Sequence, residues 1–221
     1  QDMVLGISCL TQERPGARGE GSVFKSVNEA ILAYENGYLT LHAKVKVRVH
    51  GKNSAGEDHS RIIETTLGRL LFNEVVPQDL GFVDRTNPDN DLLPEIDFLV
   101  GKKQLKQILE RCMNTHGATR TAEVMDAIKA LGYKYSTRAA MTVSIHDMTV
   151  PASKKEILAN AEKTVDKITR NFRRGLLTEE ERYKAVIETW KEADEEITEA
   201  LLGGLDKYNN IYMMADSGAR G

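Results

Sequence analysis

The side chains best placed for chemistry lie near the C-terminal end of the sequence. Asn209-Asn210-Ile211-Tyr212-Met213-Met214-Ala215-Asp216-Ser217-Gly218-Ala219-Arg220-Gly221 is an apolar stretch running into small residues with one arginine. Small residues let a chain turn so that backbone amides converge, and a guanidinium beside them adds a fixed fork of donors. That combination suits an anion. The same string also fits a packed methionine pair followed by a turn, and local sequence leaves both readings open.

Other groupings are weaker. Asp194-Glu195-Glu196 offers three carboxylates, but consecutive helix residues point in different directions and do not share a metal. His146-Asp147 has the composition of a His–carboxylate pair, with no nucleophile motif beside it. Cys9 and Cys112 lack metal-ligand or disulfide-framework spacing, which fits a reduced, cytosolic chain. His42 and His50 fall on the polar side of an expected strand and read as surface residues.

The largest element expected to position anything is a helical hairpin from about Ser153 to Leu205. Ile157, Ala161, Val165, Ile168 and Phe172 recur at three- and four-residue spacing on its first arm. Tyr183, Ile187, Trp190, Ala193, Ile197 and Leu201 do so on its second. Each set lies on one helix face, so two apolar stripes are expected to zip as an antiparallel coiled coil. Gly175 marks the bend, and Thr178 with Glu181 forms a T-x-x-E capping box for the second arm.

Before the hairpin the pattern predicts a short helix over 1–10, a Gly/Pro-rich loop over 12–21 and a strand at Val23-Phe24. Ser26 and Glu29 predict a capping box for a helix ending at Gly37. From Leu41 to His50 valines alternate with Lys44, Lys46, Arg48 and His50, the period of a strand with one wet face. A turn-rich connection over 51–60 should return it to an antiparallel partner over Arg61–Thr66. A helix is expected over Gly68–Val76, then mostly extended loop over 77–100. Two further helices are expected, Lys102–His116 stopped by Gly117 and Thr121–Leu131 stopped by Gly132, then a connector with a short strand over Tyr133–Met148.

The fold class is therefore α+β: a mainly helical body with a small antiparallel β element, followed by a long antiparallel helical hairpin. The expected divisions are a body over 1–150, the hairpin over 151–205 and a tail over 206–221. The chain has 221 residues, 41% hydrophobic and 29% charged, enough to bury a real core. A formal net charge of −3 does not suggest a nucleic-acid binder. No apolar run approaches membrane-spanning length. Gln1-Asp2 begins without methionine and already reads as the inside of an element, so a piece of a longer polypeptide is expected.

Five stretches together carry a family resemblance. QDMVLGISCLTQ, TTLGRLLFNEVVP, KALGYKYSTRAAMTVSIHDMTVP, RRGLLTEEERYKAVIETW and NNIYMMADSGARG stand in the order of markers in bacterial DNA-directed RNA polymerase β′ subunits, across essentially the whole chain. The resemblance implies a nucleotidyltransferase acting in transcription, in which 1–150 shapes the pore below the active centre. It implies that the hairpin is the rim of the funnel admitting nucleoside triphosphates, and that the tail leads toward the bridge helix. The family's catalytic N-A-D-F-D-G-D motif is absent here, so the piece alone is expected to be inactive, with no cofactor of its own. The Mg²⁺ and zinc of a full subunit would be bound elsewhere.

By resemblance, Arg220 and Gln1 lie near the triphosphate of the incoming nucleotide. Arg173, Arg174, Leu176, Leu177, Glu179, Arg182, Lys184 and Glu188 would dock Gre-type secondary-channel factors; their alternative is a solvated helix face. Implied partners are the β, α and ω subunits and nucleoside triphosphates, with DNA and RNA met only through the whole enzyme and no membrane. The implied location is the cytoplasm, at the nucleoid. Ala139-Ala140 departs from the usual Ser-Gly, which puts the local turn in doubt. The competing reading is a free-standing coiled-coil interaction module with its body as scaffold.

Overall fold

The computed structural model describes residues 1–52 and 57–220. They divide into two compact units, Gln1–Met141 with the tail from Met213, and Thr142–Tyr212.

The first unit begins with α1 (Asp2–Thr11), then β1 (Val23–Phe24) and α2 (Val27–Glu35). Ser26 caps α2 by accepting from the Glu29 amide at 3.2 Å, but the Glu29 carboxylate accepts from Lys25, not from the cap residue as a closed box requires. The alternating stretch forms β2 (Lys44–Lys52), paired antiparallel with β3 (Asp58–Thr66). Val45↔Thr65 and Val47↔Ile63 face inward, and Lys46↔Glu64 and Arg48↔Ile62 face outward. Part of the expected turn-rich connection, 53–56, lies outside the described residues. The sheet is mixed rather than purely antiparallel, because β1 joins β2 in parallel. His42 precedes β2 instead of lying on its wet face: it is half-buried, with Nδ1 3.2 Å from the Gln12 carbonyl. Burial and, secondarily, the Arg14 charge push its pKa below the ordinary 6.5.

The inner face of β2 and β3 packs with Ala30, Leu39, Leu67 and Leu70. A second, larger core joins Ile7 and Leu10 of α1 to Phe72 of α3 (Leu67–Asn73) and to Ile108 and Ile128 of α4 (Lys102–Ala139). Gly68 lets α3 touch α1, since a Cβ there would lie 1.9 Å from the Leu10 carbonyl oxygen. The extended segment before α4 is fastened by side chains. Asn73 receives the Ile96 amide at 3.0 Å and donates to the Ile96 carbonyl at 2.7 Å. Fully buried Glu95 accepts from the Phe82 and Val83 amides and faces Arg85 Nε at 3.4 Å. Arg85 in turn donates to the carbonyls of Asn90, Asp91 and Leu93.

α4 departs from expectation in one instructive way. Gly117 (φ 74°) interrupts the helical backbone, as a stop signal should. Gly132 does not: the helix runs through it to Ala139, consuming residues expected to form a connector with a strand. Gly132 is there for closeness, since a Cβ would meet Met3 Cγ at 2.7 Å and Met3 O at 2.8 Å. Ala140 then closes the helix in the left-handed region (φ 45°), where glycine is favoured.

The second unit holds a 3₁₀ turn (Ile145–Asp147), α5 (Lys154–Arg173) and α6 (Glu179–Gly204). Asp147 accepts from the Ser144 amide at 2.7 Å, so it caps that turn, and His146 is exposed. Ile157 and Ala161 near the start of α5 pack with Ala193 and Ile197 late in α6. At the connection the Arg182 guanidinium sits 5.3 Å from the Phe172 ring. Start meets end at both extremes, so the arms run in opposite directions. The seam on α6 keeps Ala193, Ile197 and Leu201 as expected but is rotated over the first half of the helix. Arg182, Ala185, Val186, Thr189, Ala193, Ile197, Ala200 and Leu201 are its partly or fully buried positions. Tyr183 retains 60% exposure and lies outside the seam, while Trp190 and Ile187, at 39% and 36%, lie at its margin. α7 (Asn210–Asp216) spans the boundary between the units.

Candidate functional site

In the first unit the tail folds back as a fixed turn. Gly218 takes φ 72°, and Ser217 Oγ both donates to the Met214 carbonyl and accepts from the Ala219 amide. The Ser217 carbonyl accepts from Lys102 at the start of α4 at 2.9 Å, and the Arg220 amide donates to Met214 O at 3.1 Å. These bonds place the exposed Arg220 side chain at the rim of a cavity of about 560 Å³. Gln1, Asp2 and Leu5 of α1 line one side, and Ser136, Thr137, Ala140 and Met141 at the end of α4 line another. Gln1 is the N-cap of α1, and its side chain makes no capping bond there. A guanidinium, a side-chain amide and nearby hydroxyls suit phosphate oxygens without any deprotonation.

Gln1 and Arg220, named from the sequence, therefore line one cavity although they stand at opposite ends of the chain. Asp2, Ser136 and Thr137 were not named as site residues, and Ala140 was noted only for the local turn. Ser136, Thr137 and Ala140 reach the cavity because α4 continues past Gly132 against α1.

The hairpin residues lie at the tip of the second unit. Arg173 ends α5, Arg174 follows it, and Gly175 turns the chain at φ 72°. Leu176 is 68% exposed and Leu177 half-buried. Thr178 and Glu181 close the expected capping box. The hydrogen bond from the Thr178 amide, then that from its hydroxyl, hold the Glu181 carboxyl below its usual 4.5. Glu179 and Arg182 pair one turn apart, as do Glu180 and Lys184 at 2.9 Å. Among the described residues Arg173, Arg174 and Glu188 take part in no ion pair, and all three are exposed.

Asp194, Glu195 and Glu196 are exposed, and among the described residues no group of three or more His, Cys, Asp or Glu could hold a metal ion. No described helix is long and apolar enough to cross a membrane.

Comparison with known proteins gives the family. Residues 1–148 match the family model for RNA polymerase Rpb1, domain 3, and residues 177–221 that for RNA polymerase Rpb1, domain 4. Over all 221 residues the chain is 71% identical to the DNA-directed RNA polymerase subunit β′ of Lachnoclostridium phytofermentans. It is 53% identical over the same span to that of Acetivibrio thermocellus. The chain covers 18% and 19% of the length of these two relatives, respectively. With a domain model matching most of its length and such identity throughout, the chain belongs to the RNA polymerase Rpb1 family, as a stretch of the bacterial β′ type.

Proposed function

We propose that this chain lines the channel through which nucleoside triphosphates reach the active centre of a DNA-directed RNA polymerase, working within the β′ subunit in the cytoplasm at the nucleoid. The observation that carries this reading is the convergence of Gln1 and Arg220 on one cavity. Arg220 contributes charge and a planar fork to the triphosphate, and Gln1 adds neutral donors that orient it. Neither residue transfers a proton. The chemistry of nucleotide addition, with its Mg²⁺, belongs to parts of the subunit outside this sequence, as does zinc. The piece alone is inactive, and the β, α and ω subunits, DNA and RNA are its companions only in the assembled enzyme.

The test is Arg220→Ala in the intact polymerase. Loss of a charge-assisted contact raises the nucleotide KM by about tenfold or more. Nucleotide kinetics identical to the parent enzyme would sink this role.

The hairpin tip serves as a docking surface for Gre-type cleavage factors. Its support is the exposure of Leu176 beside the unpaired Arg173 and Arg174. Glu179, Arg182 and Lys184 already hold partners on their own helix, so they shape the tip more than they attract a protein. Reversing both Arg173 and Arg174 to Glu weakens factor-stimulated cleavage and leaves basal elongation intact. A full factor response in that variant places docking elsewhere.

A further inference from the structure

α1 and α4 cross with a glycine on each side. A Cβ on Gly6 would lie 2.0 Å from the Gly132 carbonyl oxygen and 2.7 Å from the Ser136 amide nitrogen. A Cβ on Gly132 would meet Met3 at 2.7–2.8 Å. Ordinary contact begins near about 3.5 Å, so a side chain at either position must part the helices. Neither glycine has a positive φ, so the requirement is for space, not for an unusual backbone. Glycine inside a helix is costly relative to alanine, and here that cost is offset only by closeness.

The closeness matters for the cavity because of where it falls. Gln1 and Asp2 lie about one turn before Gly6, and Ser136 and Thr137 about one turn after Gly132. All four line the cavity that Arg220 completes. The two cavity walls are therefore the ends of two helices whose separation is set one turn away. We propose that Gly6 and Gly132 are positioning residues that fix the spacing of Gln1 from Ser136 and Thr137, and so shape for a nucleoside triphosphate the cavity that Arg220 completes. This rests on the cavity being the phosphate site proposed above.

The relation is graded by geometry. Gly132→Ala produces the milder overlap, with Met3 Cγ at 2.7 Å and the Met3 carbonyl oxygen at 2.8 Å, and Gly6→Ala strikes backbone more closely. Gly68 provides the control, since its overlap with Leu10 O at 1.9 Å lies toward the opposite end of α1, away from the cavity. Each is made in the intact polymerase, and KM and kcat for nucleotide addition are measured beside thermal stability.

The expected result is a KM raised about fivefold by Gly132→Ala and further by Gly6→Ala, as misplacement of a binding group by a fraction of an ångström to an ångström allows. kcat at saturating nucleotide stays within about twofold, because the lost interaction is one of binding. Gly68→Ala loses stability and keeps its KM. A KM that follows thermal stability across the three, or one unchanged in Gly132→Ala, overturns the proposal. Should Gly6→Ala fail to assemble, Gly132→Ala carries the comparison; should Gly68→Ala fail, Phe72→Leu replaces it as the remote control. Arg220→Ala is measured in parallel. If it alone raises KM, the spacing inference fails while the phosphate site stands. If neither it nor the glycine variants do, the phosphate site fails and the inference with it.

Discussion

Among the described residues, the first unit buries thirteen hydrophobic side chains in one cluster and eight in another, whereas the seam of the hairpin buries three. The body meets itself backbone to backbone at Gly6, Gly68 and Gly132. The hairpin meets itself through Ile157, Ala161, Ala193 and Ile197, with Tyr183 turned toward solvent. One region is held by packing that tolerates little change. The other is held largely by helix propensity, capping and charge, and its surface is open to variation. A rigid body suits a cavity whose walls must stay in register; an open helical pair suits a surface that other proteins reach.

The largest effect that would sharpen this contrast is expected from Phe72→Ala. Phe72 is fully buried in the larger core, and such truncations cost about 3–5 kcal/mol. Residue-level hydrogen exchange should show protection falling through α1, α3 and α4 while α5 and α6 keep theirs. Equal loss in the hairpin amides would mean that the two regions do not differ in this way. Next comes Glu95→Ala. It strips two amides of their acceptor and leaves Arg85 facing an emptied site. A loss of about 3 kcal/mol is expected, confined to the body and measured by denaturant titration. A loss below about 1 kcal/mol would show the buried carboxylate to be incidental.

A smaller effect is expected in the hairpin from Thr178→Ala, which removes the cap of α6 and costs about 1 kcal/mol of hairpin stability. The same cap gives the hairpin a pH dependence. Because Glu181 titrates below its usual value in the fold, its contribution is complete above the ordinary carboxylate range. It is lost as pH falls through the lowered pKa, since the unfolded chain binds the proton first. Helicity followed from neutral to acid pH should decline less in Glu181→Gln, which starts without the charge.

Much of this was readable from spacing. The alternation of β2, the caps at Ser26 and Thr178, the turn at Gly175 and the helix breaks at Gly37 and Gly117 all depend on neighbours in sequence. What stayed hidden depends on partners far away. Gly132 carries the composition of a stop signal, and only Met3 explains why the helix continues through it. Glu95 sits among polar loop residues and gives no sign that it is the buried anchor of that loop. Gln1 and Arg220 were named through resemblance, but the walls between them became visible only once α4 was seen to extend. The first half of the α6 seam was misread for a different reason. Tyr183, Ile187 and Trp190 give a louder hydrophobic period than Arg182, Ala185 and Thr189, yet the partly buried positions there are the latter.

That misreading leads to the smallest expected effect. With the first half of the seam on Ala185 and Thr189, Tyr183→Ser and Trp190→Gln remove side chains that lie outside it or at its margin. Each should change hairpin stability by no more than about 0.5 kcal/mol, the range of surface substitutions. Replacing Ala193, which is 6% exposed, with leucine adds bulk where the helices touch, and overpacking costs about 1–3 kcal/mol. The three variants form an ordered set that can be read by thermal melting of hairpin helicity. An order in which Trp190→Gln is the most damaging would return the seam to the aromatic stripe and dissolve the contrast. The predicted order would instead leave α6 with two apolar faces, one spent on its own arm and one that remains open along the hairpin.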